Sequence, residues 1–248
     1  KNVNIPIYGT PLTMGLIGGK LKEHNLFNKA KLNVVKAGQK IRLGCMEIEF
    51  IHVNHSIPGS CALAINTPVG TVFHSGDFKI DLTPINGEMI DLPRISEIGK
   101  RGVTLLLCES TNVEQEGYTM SEHVVGETLD RLFADNVKRR IIVATFATNV
   151  HRLQQIVNLA MKHRRKIAFS GRSMLNVVEA ASKVGEIFVP QDIVVDIEKI
   201  KSVADKDLVI VSTGSQGEPM SALTRMASDN FAQVKIGAND TIIISASP

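Results

Sequence analysis

Apolar residues change their spacing partway along the chain, and the change divides it. Up to about residue 115 they alternate or come in short runs. In Met46-Glu47-Ile48-Glu49-Phe50 the alternation places one face of a strand against a core and leaves the other wet. Segments 40–43, 46–53, 61–66 and 71–74 read as strands, and Thr67-Pro68-Val69-Gly70 supplies the turn between the last two. Together they predict an antiparallel meander packed on one side. Segment 5–8 predicts one more short strand. Thr10-Pro11 then offers an N-cap and a first-turn proline for a helix to about residue 25. The continuous apolar run 103–108 predicts a fully buried strand.

Beyond about residue 121 the spacing lengthens. Ser121 is placed to cap a helix whose apolar side carries Val124, Val125, Leu129, Leu132 and Phe133. Strand and helix patterns then take turns: strands at 141–146, 167–169, 208–212 and 241–245, helices at 150–163, 174–183 and 221–226. Repeated strand–helix units predict a mostly parallel sheet covered on both faces. The fold class is α/β, in two domains, 1–116 and 117–248.

Composition narrows the field. With 248 residues, 44 % hydrophobic and 21 % charged, the chain reads as a soluble globular protein with a real core. Nothing approaches the run of about 18 apolar residues that a membrane helix needs, so no membrane partner is expected. Residues 1–4 contain no apolar leader, and a cytoplasmic location is expected. The chain has no initiator Met and reads as a fragment or a processed product. A net charge of +3 is too small to demand a nucleic-acid partner, although phosphate affinity follows the local patch and not the total. Cys45, Cys61 and Cys108 are far apart, each in an apolar run, and predict three buried free thiols.

Three constellations carry candidate chemistry. His55 follows a strand and enters the loop Ser56-Ile57-Pro58-Gly59, where its ring can be presented as a metal ligand; His52, on the strand itself, reads as structural. Asp77 ends a strand in a Ser75-Gly76-Asp77 turn. Its carboxylate either bridges cations or caps its own turn. The third constellation is the set of strand-to-helix junctions in the second half: Thr145-Phe146-Ala147-Thr148-Asn149, Ser170-Gly171-Arg172-Ser173, and Ser212-Thr213-Gly214-Ser215-Gln216-Gly217-Glu218-Pro219. Each lies at the carboxyl end of a predicted parallel strand, where open α/β sheets bind ligands. Each leads to a helix start, where free backbone N–H groups favour anions. One such junction alone reads as ordinary capping; three on one edge predict a phosphate-lined groove, with Phe146 as a stacking surface for a base. None is a P-loop or a GxGxxG turn. The basic clusters Lys138-Arg139-Arg140 and His163-Arg164-Arg165-Lys166 fall before strands, at the other end of the sheet, and read as solvated faces or oligomer contacts.

Asn54-His55-Ser56-Ile57-Pro58 and Ser75-Gly76-Asp77-Phe78-Lys79 resemble two late metal motifs of the metallo-β-lactamase fold, in the form found in the ribonuclease J branch of the metallo-β-lactamase/β-CASP family. Pro6-Ile7-Tyr8-Gly9-Thr10 and Leu107-Cys108-Glu109-Ser110-Thr111-Asn112 are similar to two further segments of that family, so the resemblance covers essentially the whole chain. It implies the C-terminal part of a metallo-β-lactamase αββα domain over 1–116. It also implies a β-CASP domain with flanking helices over 117–248. On that resemblance His55 holds one metal and Asp77 bridges two. Zinc is the expected ion, two per intact chain, with manganese the alternative. Glu109 orients a group near the metals. The family's HxHxDH signature is expected just before residue 1, and a further histidine motif after residue 248. The chain thus keeps His55 and Asp77 of a larger ligand set and is expected to be inactive alone.

The activity implied is 5′-to-3′ exonucleolytic and endonucleolytic cleavage of single-stranded RNA, in rRNA processing and mRNA decay. The implied RNA contacts are Phe146, Ala147, Thr148, Asn149, Ser170, Arg172, Ser215 and Gln216. The implied assemblies are a homodimer, a homotetramer or a hetero-oligomer with a paralogue. Two rivals remain: a small-molecule hydrolase of the same fold, and a non-catalytic RNA-binding or assembly partner of an active paralogue. The long α/β second half disfavours the first.

Overall fold

A computed structural model describes residues 5–85 and 88–246. Residues 1–4, where the sequence shows no apolar leader, lie outside them. The chain divides into two compact units, Lys1–His123 and Val124–Pro248.

The first unit opens with β1 (Pro6–Gly9), α1 (Pro11–Glu23) and β2 (Lys31–Val34), the two strands pairing in parallel. Next come β3 (Lys40–Leu43), β4 (Met46–His52), β5 (Cys61–Thr67), β6 (Gly70–His74), α2 (Leu92–Arg101) and β7 (Leu105–Leu107). These five strands form one sheet in the order β3-β4-β5-β6-β7. The first four are antiparallel, as the alternation predicts, and β7 joins β6 in parallel. Ile51, Val53, Ala62, Ala64 and Phe73 point to one face and pack with Ile90 and Ile98 into the core.

Helix α2 is not predicted from the sequence, although Leu92, Ile95 and Ile98 recur at helical spacing; Ile98 is buried and Ile95 packs beside it against the core. Polar contacts add to this. Asp91 Oδ1 accepts from Arg94 N at 3.0 Å as an N-cap, and the Arg94 guanidinium meets Glu49 of β4 with both carboxylate oxygens, at 2.6 and 2.7 Å. That guanidinium holds the Glu49 carboxyl below the usual carboxylate range.

Two expectations fail in this unit. The run 103–108 is not buried: Leu105, Leu106 and Leu107 are 50 %, 60 % and 45 % exposed. Strand β7 lies at the edge of its sheet and pairs on one side only, and a continuous apolar run cannot by itself tell an edge from a centre. Nor are the three thiols all buried. Cys45 and Cys108 are exposed, whereas Cys61 is half-buried and burial pushes its thiol up to about 11.

The second unit contains most of α3 (Glu122–Asp135), followed by β8 (Arg140–Thr145), α4 (Val150–Lys162), β9 (Lys166–Ser170), α5 (Arg172–Lys183), β10 (Leu208–Ser212), α6 (Ala222–Ala227) and β11 (Asp240–Ser245). The four strands are all parallel, in the order β11-β8-β10-β9. The central strands carry Ile141, Ile142, Val143, Val209, Ile210 and Val211 at 0 % exposure, the near-continuous apolar pattern of a sheet covered on both faces. This is the mixed α/β architecture that the strand–helix repetition predicts.

The two basic clusters are not simply solvated. Arg165 is 3 % exposed and donates to the carbonyls of Arg139, Asn136 and Leu208 at 2.8, 2.7 and 3.5 Å. Arg140 clasps Asp240 through two bonds of 2.7 Å, which joins the starts of β8 and β11. His163 Nε2 meets Asp130 at 2.8 Å. Lys138, Arg139 and Arg164 are exposed.

Candidate functional site

In the first unit, two loops leave the same end of the sheet. One follows β4 and carries His55; the other follows β6 and carries Asp77. Beyond the regular ladder a single antiparallel bridge joins them, Asn54 to Lys79, with Lys79 N donating to Asn54 O at 2.8 Å. The backbones on which His55 and Asp77 sit are therefore neighbours. Asn54 is buried at 7 % exposure and spends both ends of its amide on the chain: Nδ2 donates to Glu88 O at 2.7 Å and Oδ1 accepts from Ile90 N at 2.9 Å. Asp77 is exposed and His55 half-buried, its Nε2 lying 3.4 Å from Ser56 Oγ.

Gly76, at φ +61, makes the turn before Asp77. A Cβ there would stand 3.0 Å from the Cys61 carbonyl oxygen, so the loop needs glycine. Ser75, buried beside it, accepts from Glu109 N at 3.0 Å on its Oγ, and Glu109 Oε2 accepts from Thr111 N at 2.8 Å. Glu109 is thus fastened to the Asp77 turn through its backbone, while its carboxylate shapes its own loop.

His55 and Asp77 supply an imidazole and a carboxylate. Among the described residues no group of three His, Cys, Asp or Glu side chains stands close enough to hold a metal ion, and a catalytic zinc needs three protein ligands. The described residues alone therefore do not make a metal site.

In the second unit the three junctions meet. Thr145, Phe146 and Ala147 after β8, Gly171, Arg172 and Ser173 after β9, and Thr213 and Gly214 after β10 line one cleft of about 680 Å³ at the carboxyl edge of the sheet. The turns are built for close approach. Gly171 lies at φ +103 and Gly214 at φ +110; a Cβ on Gly214 would collide with the Ser221 hydroxyl and crowd Leu223. Thr213 Oγ1 accepts from Ala222 N at 3.3 Å and Thr213 O from Leu223 N at 3.1 Å, tying the third junction to α6.

Of the remaining junction residues, Thr148 and Gln216 are exposed and outside the cleft lining. Asn149 is buried, and its Oδ1 caps α4 by accepting from Arg152 N at 3.1 Å. The hydroxyls of Ser170 and Ser215 are buried and have no hydrogen-bond partner among the described residues.

Glu218 of the third junction lines the cleft, as do Arg225 and Phe231, which sequence reasoning missed. Arg225 sits on the short α6, which reads only as one of the helices covering the sheet, and Phe231 lies just past it. Only the fold turns this element under the junctions of β8 and β9.

A four-stranded parallel sheet with flanking helices and its junction loops gathered on one cleft is the architecture of a β-CASP domain. Residues 138–248 match the family described as Ribonuclease J, beta-CASP domain. The similarity extends over the whole chain: it is 46 % identical to Ribonuclease J of Synechocystis over 250 residues, covering 100 % of this chain and 39 % of that protein. Against Ribonuclease J of Helicobacter pylori strain 26695 the identity is 43 %, over 99 % of this chain and 36 % of the relative. Against that of Thermus thermophilus it is 40 %, over 100 % and 43 %. The chain is similar along its whole length to these ribonuclease J proteins and spans less than half the length of each. A crystal structure of a protein of unknown function from Enterococcus faecalis V583 shares the fold, with a TM-score of 0.63 over 96 % of this chain and 65 % of that one at 15 % identity.

Proposed function

We propose that the full-length protein is a cytoplasmic ribonuclease that hydrolyses phosphodiester bonds of single-stranded RNA, from the 5′ end and internally, in RNA processing and decay. The observation that carries this reading is the cleft of the second unit. Three glycine- and hydroxyl-rich turns converge on it, with Phe146 and Arg172 in its wall. Backbone N–H groups and small side chains admit a phosphate, and an aromatic ring admits a base. A small-molecule hydrolase has no use for such an edge. Among the described residues no helix is long and apolar enough to cross a membrane.

Metal dependence belongs to the same proposal, with zinc or manganese as the ion. His55 and Asp77 are two of its ligands, and the set is completed by residues other than those described. The present chain is therefore expected to be inactive by itself, and the whole enzyme to work as a dimer or tetramer. The work of this chain's own residues is positional: the Asn54–Lys79 bridge holds the two loops in register, and the cleft fixes which phosphodiester is presented.

The test follows cleavage of a 5′-monophosphorylated single-stranded RNA by the full-length protein and its His55→Ala and Asp77→Ala variants. The expected result is that both variants keep RNA affinity and lose cleavage by at least about 100-fold. Binding without cleavage in the unmodified protein, at any divalent ion, would favour the non-catalytic partner instead.

A further inference from the structure

The cleft holds two arginines, and the structure treats them unlike Arg140, Arg152 and Arg165. Arg140 is spent on Asp240, Arg152 reaches Ser245 O at 2.9 Å, and Arg165 is spent on backbone carbonyls. Arg172 and Arg225 are exposed, and among the described residues neither has a carboxylate partner. The one carboxylate in the cleft lining, Glu218, is turned to its own loop, where Oε2 accepts from Gln216 N at 3.2 Å.

Nor is Arg225 merely loose. Its guanidinium lies over the ring of Phe231 at 5.2 Å from the centroid, and one terminal nitrogen donates to Asn230 O at 3.3 Å. Phe231 is 9 % exposed and anchored in the core of the second unit, so the platform under the guanidinium is rigid. An arginine held by stacking and one carbonyl keeps donors free, and a planar fork with free donors is suited to a phosphodiester.

We propose that Arg225, stacked on Phe231, is an RNA-phosphate contact of this cleft and works with Arg172 to hold one phosphodiester between the junctions after β9 and β10. The inference rests on the reading of the cleft as an RNA track. It adds a residue that no junction motif contains. Phe231 positions the cation and does not meet the nucleic acid.

The test is equilibrium binding of a fluorescently labelled single-stranded RNA to the full-length protein, with divalent ions chelated so that nothing is cut, over a range of salt concentrations. For a single strand, each phosphate that the protein no longer neutralises lowers the slope of log affinity against log salt by about 0.7. Arg225→Ala is expected to weaken binding about tenfold and to remove one such step. Arg225→Lys is expected to restore the slope, because the charge returns. Phe231→Leu should weaken affinity with the slope kept, because the charge stays and its platform goes. Arg164→Ala, which removes an exposed cation before β9, should change neither quantity.

If RNA binds with a steep slope and Arg225→Ala leaves it unchanged, the inference is wrong while the RNA track survives. An equal loss of slope in Arg225→Ala and Arg164→Ala would also overturn it, by showing that only overall charge counts. Absence of RNA binding by the unmodified protein overturns the inference and the reading beneath it together.

Discussion

The two ends of the parallel sheet in the second unit use the same kinds of residue for opposite purposes. At the amino end, where β8, β9 and β11 begin, arginines close the fold: Arg165 gathers three carbonyls and Arg140 clasps Asp240. At the carboxyl end the strands run into glycine turns, and Arg172 and Arg225 are left uncommitted over an open cleft. The amino end thus spends Arg140 and Arg165 on the fold and leaves Lys138, Arg139 and Arg164 exposed. The carboxyl end has fewer cations, and those of its cleft are uncommitted. Counting basic residues along the sequence would have pointed to the amino end.

The sharpest way to break this comparison is at Arg165. Burial lowers its affinity for a proton, Asp207 opposes that shift, and the buried cation donates to three carbonyls. Arg165→Ala strands those carbonyls and should cost about 3 kcal/mol in chemical denaturation, with RNA affinity of the folded protein unchanged. A parallel loss of RNA affinity would mean that the amino end takes part in binding.

Asp240→Ala is the next largest. It leaves Arg140, whose side chain is 12 % exposed, without its bidentate partner. The expected cost is about 2 kcal/mol, below that of a fully buried pair because water reaches the guanidinium. Gly214→Ala tests the other end. It should cost about 1–2 kcal/mol, since φ +110 and contact with Ser221 oppose a methyl group. Unlike the two amino-end changes, it should also weaken RNA binding, because the third junction must move. Retention of full affinity in Gly214→Ala would detach that junction from the cleft's function.

The smallest effect lies outside the sheet and serves as a control on the first unit. The Arg94 guanidinium holds the Glu49 carboxyl below its ordinary value. Its contribution to stability is present above the unfolded-state value, near 4.5, and is lost as pH falls through the lower folded value. Glu49→Gln should flatten the acid side of the stability profile and leave the neutral-pH cleft untouched, as followed by denaturation at a series of pH values.

Much of this architecture is legible in the order of residues. The meander of β3 to β6 follows from alternation, and the parallel sheet follows from buried β-branched runs spaced by helices. What is not legible depends on pairing. Helix α2 escapes because its stripe of Leu92, Ile95 and Ile98 is short and only Ile98 is fully buried, with the cap and the Arg94–Glu49 contact supplying the rest of its hold. Strand β7 reads as buried because Leu105-Leu106-Leu107 carries no mark of lying at an edge. Asn149 shows the same limit at the site: its position in a junction suggested ligand contact, and its side chain is occupied in capping α4. Arg225 and Phe231 form a unit only because α6 folds beneath Gly214.

The claim at the centre of this account is that RNA lies on the carboxyl edge of the second unit's sheet. Photocrosslinking of a 4-thiouridine-substituted single-stranded RNA to the full-length protein, with the attached peptides identified by mass spectrometry, tests it most directly. The account predicts adducts on the peptides containing Phe146, Arg172 and Arg225. Adducts concentrated instead on Lys138-Arg139 and Arg164 would contradict it.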